Sequence, residues 1–148
     1  MASEKGSVRP AKVLIADDNP QILELLEAYL EPLAVRVVLA SDGQAAVAAV
    51  ERERPDLILL DIMMPKRSGF EVCRSLKEDP RYRDIPIIMV TALNELGDIE
   101  RARESGADDY LSKPVNKAQL LERVQSLLRL RYHKRPPGPP TQAESSPE

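Results

Sequence analysis

The sequence has few residues of several types, and each scarcity argues against a class of protein. Its 148 residues contain one cysteine, Cys73, and one histidine, His133. This argues against an internal disulfide, a cysteine or histidine metal cluster, a serine–histidine triad and an internal phosphohistidine relay. No apolar run approaches the ~20 residues of a membrane span, and the polar start lacks the apolar core of a signal peptide. These absences favour a cytoplasmic protein that makes no membrane contact.

An excess of charge of one sign is also missing. The 21 basic and 24 acidic residues leave a formal net charge of −3, whereas nucleic-acid binders usually carry a basic surface. We therefore expect this domain to make no direct contact with nucleic acid. The length and the hydrophobic fraction of 43% are typical of one globular domain with a real core.

Short apolar runs alternate with amphipathic stretches over residues 11–131. The strand-like runs are 12–17, 35–40, 57–61, 87–91 and 109–112. Helical spacing occupies 22–29, 45–50, 70–77, 99–105 and 117 to about 130. The first, third and fourth runs are nearly unbroken in hydrophobicity, as strands covered on both faces should be. Five strands alternating with five helices predict a doubly wound α/β domain.

The two ends of the chain differ from this central part. Residues 1–10 form a polar leader, and residues 132–148 include the proline-rich segment 136–140. This composition cannot bury enough apolar surface to fold, so we expect a disordered tail or a linker. Inside the domain, Gly106 is expected to cap the end of the fourth helix, and Asn116 to cap the start of the fifth.

Polar side chains of complementary chemistry close four of the apolar runs. Asp17 and Asp18 end the first, Asp61 the third, Thr91 the fourth and Lys113 the fifth. If the runs are parallel strands of one sheet, these side chains share its carboxyl edge, where open α/β sheets keep their sites. Three carboxylates, a hydroxyl and an ammonium suit a divalent cation and a phosphoryl group.

Each residue in this set has both a catalytic and a purely structural interpretation. Asp61 can act as a nucleophile and carry an aspartyl phosphate, yet it also suits a turn. Asp17 and Asp18 can both face one ion only if the strand ends there, and the pair equally suits a helix cap. Thr91 and Lys113, taken alone, fit a strand residue and a surface charge. The joint pattern at four strand ends favours phosphoryl chemistry.

Over residues 12 to 130 the chain resembles the receiver domains of two-component response regulators, with a fold like that of the chemotaxis regulator. The resemblance rests on four segments: 13–19, 55–65 with Ser68-Gly69, Thr91-Ala92, and 106–114. It implies a flavodoxin-like fold with parallel strand order 2-1-3-4-5. It also implies phosphorylation of Asp61 by a histidine kinase or a histidine phosphotransfer protein. Such a receiver turns over no separate substrate, but catalyses its own phosphorylation and dephosphorylation.

The resemblance also assigns roles to individual residues. It implies Mg²⁺, with Mn²⁺ as an alternative, bound by Asp18, Asp61 and the backbone carbonyl of Met63, with Asp17 helping directly or through water. Thr91 and Lys113 take the phosphate-binding roles, Thr91 and Tyr110 form the switch, and the Lys113–Pro114 peptide is expected to be cis. The face of helix 4, strand 5 and helix 5 is expected to meet partners or a second copy.

The resemblance further implies a slow loss of the phosphoryl group. In receivers, the side chains two places after the aspartate and after the threonine position or exclude the attacking water. Here they are Met63 and Leu93, and neither makes a strong hydrogen bond to water.

Three rival classes fit less well. A phosphatase of the haloacid dehalogenase type normally has its nucleophile after the first strand in an Asp-x-Asp pattern, whereas Asp61 follows the third run and Met63 stands two places later. A pseudo-receiver usually lacks an acidic or lysine position, and none is missing here. A Rossmann or P-loop nucleotide binder would need a glycine-rich loop that the sequence lacks.

Overall fold

The computed structural model describes residues 10–92 and 96–134; for residues 96–99 and 131–134 it describes the backbone only. Five strands alternate with five helices along this part of the chain. The strands are β1 (Lys12–Ala16), β2 (Arg36–Ala40), β3 (Leu57–Leu60), β4 (Ile87–Thr91) and β5 (Asp109–Ser112). The helices are α1 (Pro20–Tyr29), α2 (Gly43–Glu53), α3 (Gly69–Glu78), α4 (Leu96–Glu104) and α5 (Lys117–Lys134).

The strands form one parallel sheet in the order β2-β1-β3-β4-β5. The predicted doubly wound fold and the strand order 2-1-3-4-5 are therefore confirmed. The chain reverses its direction of travel across the sheet after β2, so the edge beside β1 and β3 is a topological switch point, where such sheets bind ligands.

Both faces of the sheet are covered, which explains the nearly continuous apolar runs. Along β1, Leu14 packs into a core beneath α2, α3 and α4, while Val13 and Ile15 pack into a second core beneath α1 and α5. Ile58 and Leu59 of β3 divide between the two cores in the same way. Successive residues of a strand point to opposite faces, so a strand buried on both sides must be apolar throughout.

The helix ends follow local capping chemistry. Asn19 accepts a hydrogen bond from the Gln21 N–H at 2.9 Å, and Pro20 occupies the first turn of α1. Asn116 caps α5 through the Gln119 N–H at 2.9 Å. Gly106 follows α4 with φ +98°, and the bonds from Gly106 N–H to the Arg103 carbonyl and from Ala107 N–H to the Ala102 carbonyl complete a Schellman motif.

Some element bounds differ from those expected. A short 3-10 helix at Glu31–Leu33 was not expected. Helix α4 begins three residues before Ile99, and α5 continues to Lys134, past the expected helix end at about 130. Apolar spacing marks buried positions and not the first or last helical residue, and residues 117–135 contain no proline that would end α5 earlier.

Some of the segments and residues predicted from the sequence cannot be compared with the structure. Apart from their inner ends, the leader at 1–10 and the tail at 132–148 lie outside the described residues, as does Leu93. Among the helices of the described ranges, none combines the length and the apolar character needed to cross a membrane.

Candidate functional site at the carboxyl edge of the sheet

Four parallel strands bring their ends to one edge. Ala16 of β1 is in register with Leu60 of β3, and Thr91 of β4 with Ser112 of β5. The residues that follow β1, β3 and β5 are Asp17, Asp61 and Lys113. The side chains expected at this edge from the sequence are therefore brought together.

The turn after β1 lets two adjacent aspartates share this edge. The strand ends at Ala16, and the Asp17 N–H donates to the Ala40 carbonyl of β2 at 3.0 Å. Asp17 is buried, with one carboxylate oxygen accepting the Asn19 N–H at 2.9 Å, whereas Asp18 is exposed. The strand thus ends directly before Asp17 and Asp18, so both carboxylates can face one ion.

Asp61 lies at the centre of the group and is only 4% exposed. Its backbone N–H donates to the Ala16 carbonyl at 2.9 Å, and its Oδ1 accepts the Met63 N–H at 3.4 Å. The pKa of the Asp61 carboxyl is raised to about 6, chiefly by burial and next by the nearby Asp17 carboxylate. The Lys113 ammonium and the Met63 N–H act in the opposite direction. Asp61 is therefore a carboxylate held in an unfavourable environment.

Lys113 supplies positive charge to this site. Its Nζ lies 2.8 Å from Oδ2 of Asp17 and 3.7 Å from Oδ1 of Asp61. Its backbone N–H donates to the Thr91 carbonyl at 2.8 Å, which ties the turn after β5 to the end of β4. The Lys113–Pro114 peptide is cis.

Thr91 and Tyr110 lie on the adjacent strands β4 and β5. Thr91 is 2% exposed, and Tyr110 is partly buried against the core beneath α2, α3 and α4. Tyr110 pairs with Met89, two residues before Thr91, so both expected switch residues belong to one strand pair.

The carboxylates fit a hard divalent cation. One oxygen from each of Asp17, Asp18 and Asp61 lies within 4.8 Å of the others. Oxygen donors of this kind suit Mg²⁺, which commonly keeps several waters and takes one or two carboxylates. The observation that supports a cation is the charge balance, because two buried carboxylates share the single ammonium of Lys113.

The loop between β3 and α3 completes the site and contains features that the sequence did not reveal. Residues 62–68 run past Met63, which is 64% exposed, to Lys66, whose φ is +73°. This loop contacts Asp42 and Gly43 at the start of α2. The aspartate and glycine after β2 resemble an ordinary helix cap, so their contact with the loop that follows Asp61 had no sequence signal.

Charges on the face of α4, β5 and α5 are partly used inside the domain. Arg123 of α5 contacts Asp109 of β5 at 2.7 Å, and Lys77 of α3 contacts Asp108 at 2.9 Å. Arg101 lies over the Phe70 ring, 4.2 Å from its centroid. Arg103 and Glu104 are exposed.

Comparison with known proteins identifies the domain. The model of the response regulator receiver domain matches residues 13–125. Response regulator PleD of Caulobacter vibrioides is 46% identical over 121 residues, which are 82% of this chain and 27% of PleD. The DNA-binding dual master transcriptional regulator RpaA of Synechocystis is 45% identical over 118 residues, which are 80% of this chain and 49% of RpaA. The chain thus spans a quarter to a half of the length of these relatives.

A solved structure agrees with these sequence relatives. The receiver domain of sensor histidine kinase PA1611 from Pseudomonas aeruginosa, which has a magnesium ion coordinated in its active-site cleft, is 36% identical with a TM-score of 0.76. The alignment covers 82% of this chain and 99% of that domain. These matches, together with the strand order and the acidic edge of the sheet, show that this chain belongs to the response regulator receiver domain family of two-component signalling.

Proposed function

We propose that this domain accepts a phosphoryl group on Asp61 in a Mg²⁺-dependent reaction and thereby changes the surface it offers to partners. The observation that carries the proposal is the geometry around Asp61. Its buried carboxylate lies within 4.8 Å of two other carboxylates and 3.7 Å from the Lys113 ammonium. A nucleophile, a cation site and a positive charge are thus adjacent, as phosphoryl transfer requires.

The donor would be a phosphohistidine of a histidine kinase or a phosphotransfer protein. An Asp61 carboxylate oxygen attacks the phosphorus, the phosphorus–nitrogen bond breaks, and the imidazole nitrogen leaves with the electron pair. Asp17, Asp18, Asp61 and the Met63 carbonyl would hold Mg²⁺, which neutralises the phosphoryl oxygens. Lys113 and Thr91 then bind the remaining phosphoryl oxygens.

The phosphoryl group changes the charge balance at the edge of the sheet. The bound group carries a charge near −2 in place of the −1 of the Asp61 carboxylate, and it brings new acceptor oxygens. Lys113, now paired with Asp17 at 2.8 Å, gains a stronger partner. We infer that Thr91 moves toward the phosphoryl group and that Tyr110 turns inward into the volume released. Both lie on β4 and β5, so the change reaches the face of α4, β5 and α5.

That face would meet an output domain, a target protein or a second copy of the domain. Its exposed Arg103 and Glu104 offer charges of both signs. The domain itself would contact neither nucleic acid nor membrane, and we place it in the cytoplasm. Reversal occurs when water attacks the aspartyl phosphate, a reaction for which the apolar Met63 provides no strong hydrogen bond.

Intact-mass measurement with acetyl phosphate tests the proposal. Wild type should gain one phosphoryl mass in Mg²⁺ and none when the metal is chelated. Asp61→Asn should gain none in either case, because the amide is a poor nucleophile. Asp56→Asn, a change of the same type at the start of β3, is the control and should behave as wild type. A phosphorylated Asp61→Asn protein would show that the acceptor lies elsewhere.

A further inference from the structure

We propose that the Asp42–Gly43 turn at the start of α2 is a positioning element for the loop of residues 62–68. The inference rests on the proposed function, since this loop supplies the Met63 carbonyl to the cation site. In this view Gly43, Asp42 and Lys66 touch neither metal nor phosphoryl group, but fix the backbone that does.

Gly43 packs directly against the backbone of the loop. Its N–H donates to the Pro65 carbonyl at 3.3 Å. A Cβ built on Gly43 would overlap the Arg67 carbonyl oxygen and lie 2.7 Å from the Arg67 Cβ. Because the obstacle is largely backbone, a larger residue here must displace the loop. Glycine therefore allows α2 and the loop to approach closely.

Asp42 and Lys66 make a second connection between the same segments. Lys66 has φ +73°, a left-handed conformation that residues with a Cβ rarely adopt. Its Nζ lies 3.6 Å from Oδ2 of Asp42, while Oδ1 of Asp42 accepts the Ala45 N–H at 2.7 Å and caps α2. One carboxylate thus holds the start of the helix and the unusual turn of the loop.

The other end of the loop is held by α3. The Gly69 N–H donates to the Ile62 carbonyl at 2.8 Å, and a Cβ on Gly69 would overlap the Asp61 carbonyl oxygen. Ser68 and Glu71 form a capping box that fixes the start of α3. The loop is therefore held at Ile62 by one helix and at Pro65 to Arg67 by the other.

Met63 lies between these two attachments. Met63 is 64% exposed, so its side chain packs little, and its N–H makes a long bond of 3.4 Å to Oδ1 of the neighbouring Asp61. The position of its carbonyl must come from its neighbours along the loop. Partners that orient a metal ligand commonly change affinity by 10–100-fold when they are removed. This ties the β2–α2 turn to the cation site without direct contact.

The test compares Gly43→Ala with Gln44→Ala, an exposed residue in the same turn of α2. With Gly43→Ala, Mg²⁺ affinity by calorimetry should fall about tenfold, and amides of residues 62–68 should exchange hydrogen faster in metal-free protein. Saturating Mg²⁺ should restore most of the phosphorylation rate, which a general loss of fold would not allow. Gln44→Ala should match wild type in all three measurements.

Asp42→Asn provides a second variant that does not depend on close packing. Asparagine still caps α2 but loses the charge that meets Lys66, so Mg²⁺ affinity should fall only about two- to threefold. If Gly43→Ala fails to fold, the measurements on Asp42→Asn test the inference without it. The inference is overturned if the folded variants keep wild-type exchange at 62–68 and wild-type Mg²⁺ affinity. Failure of the proposed function would appear differently, as a wild-type protein that neither binds Mg²⁺ nor becomes phosphorylated.

Discussion

Asp61 combines burial with negative charge, and this combination costs stability. Asp61 is 4% exposed and lies beside buried Asp17, which makes the closer contact with Lys113. Burial is the main cause of its raised pKa of about 6, and the same burial would keep bulk water from the proposed aspartyl phosphate. The residue is poorly suited to stabilising the fold and well suited to accepting a phosphoryl group.

The raised pKa predicts how stability depends on pH. Between the unfolded value of 3.8 and the folded value of about 6, the folded state binds the Asp61 proton more tightly. The stabilising contribution of this group is therefore complete below pH about 4 and is lost as pH rises through 6. At pH 7.5 without metal, Asp61→Asn should raise the free energy of unfolding by roughly 1–3 kcal/mol, since one pKa unit is worth ~1.4 kcal/mol.

Urea denaturation of both proteins at pH 4 and pH 7.5 measures this effect. The advantage of Asp61→Asn should shrink toward zero at the lower pH. An advantage of equal size at both values would mean that ionisation of Asp61 is not its source.

Asp18 is the exposed member of the acidic group, so its removal leaves no cavity. Asp18→Ala should weaken Mg²⁺ binding on the order of tenfold, ~1.4 kcal/mol, because a hard cation loses one charged oxygen. Phosphorylation at low Mg²⁺ should slow accordingly. Calorimetry measures the affinity, with Glu24→Ala as a control that removes the same charge from exposed α1. Equal affinity in Asp18→Ala and wild type would remove Asp18 from the site.

Among the elements, the segments that follow β3 and β4 in sequence are expected to set the lifetime of the signal. Met63 is exposed beside Asp61, and Leu93, the second apolar residue, lies outside the described residues. Met63→Asn with Leu93→Glu adds groups that can orient water, and should shorten the aspartyl phosphate lifetime about tenfold, ~1.4 kcal/mol in the barrier. Met63→Leu with Leu93→Met keeps both positions apolar and serves as control.

Decay of the phosphorylated protein after removal of the donor gives this lifetime. The polar pair should decay fastest, and the apolar control should decay at the wild-type rate. If all three decay alike, the apolar pair contributes only packing.

Element types were predictable where the cause was local. The buried strands appeared as unbroken apolar runs, and Gly106 and Asn116 gave cap signals that the helix ends bear out. Local signals failed at Arg54, which ends α2 in a left-handed conformation without glycine. They failed also at Lys66, which adopts a φ of +73° without being a glycine.

For the whole molecule, alternation of strands and helices predicted the doubly wound fold, but strand order needed the resemblance to a family. The gathering of Asp17, Asp61 and Lys113 at one edge followed from parallel strands alone. Which aspartate pairs with Lys113 was not predictable. Lys113 lies nearer to Asp17 than to Asp61, and this depends on charges that come together only after folding. Contacts between segments far apart in sequence, such as Gly43 of α2 with Pro65 of the loop after β3, had no sequence signal.

The most direct test of the central claim is to map the phosphorylated residue chemically. An acyl phosphate is reduced by borohydride to the corresponding alcohol, so a phosphorylated aspartate becomes homoserine. After treatment with acetyl phosphate and Mg²⁺, tandem mass spectrometry should find homoserine at position 61, and not at Asp17, Asp18 or Asp56. Chelation of the metal should abolish it. Homoserine at another aspartate, or unchanged labelling without metal, would contradict the account.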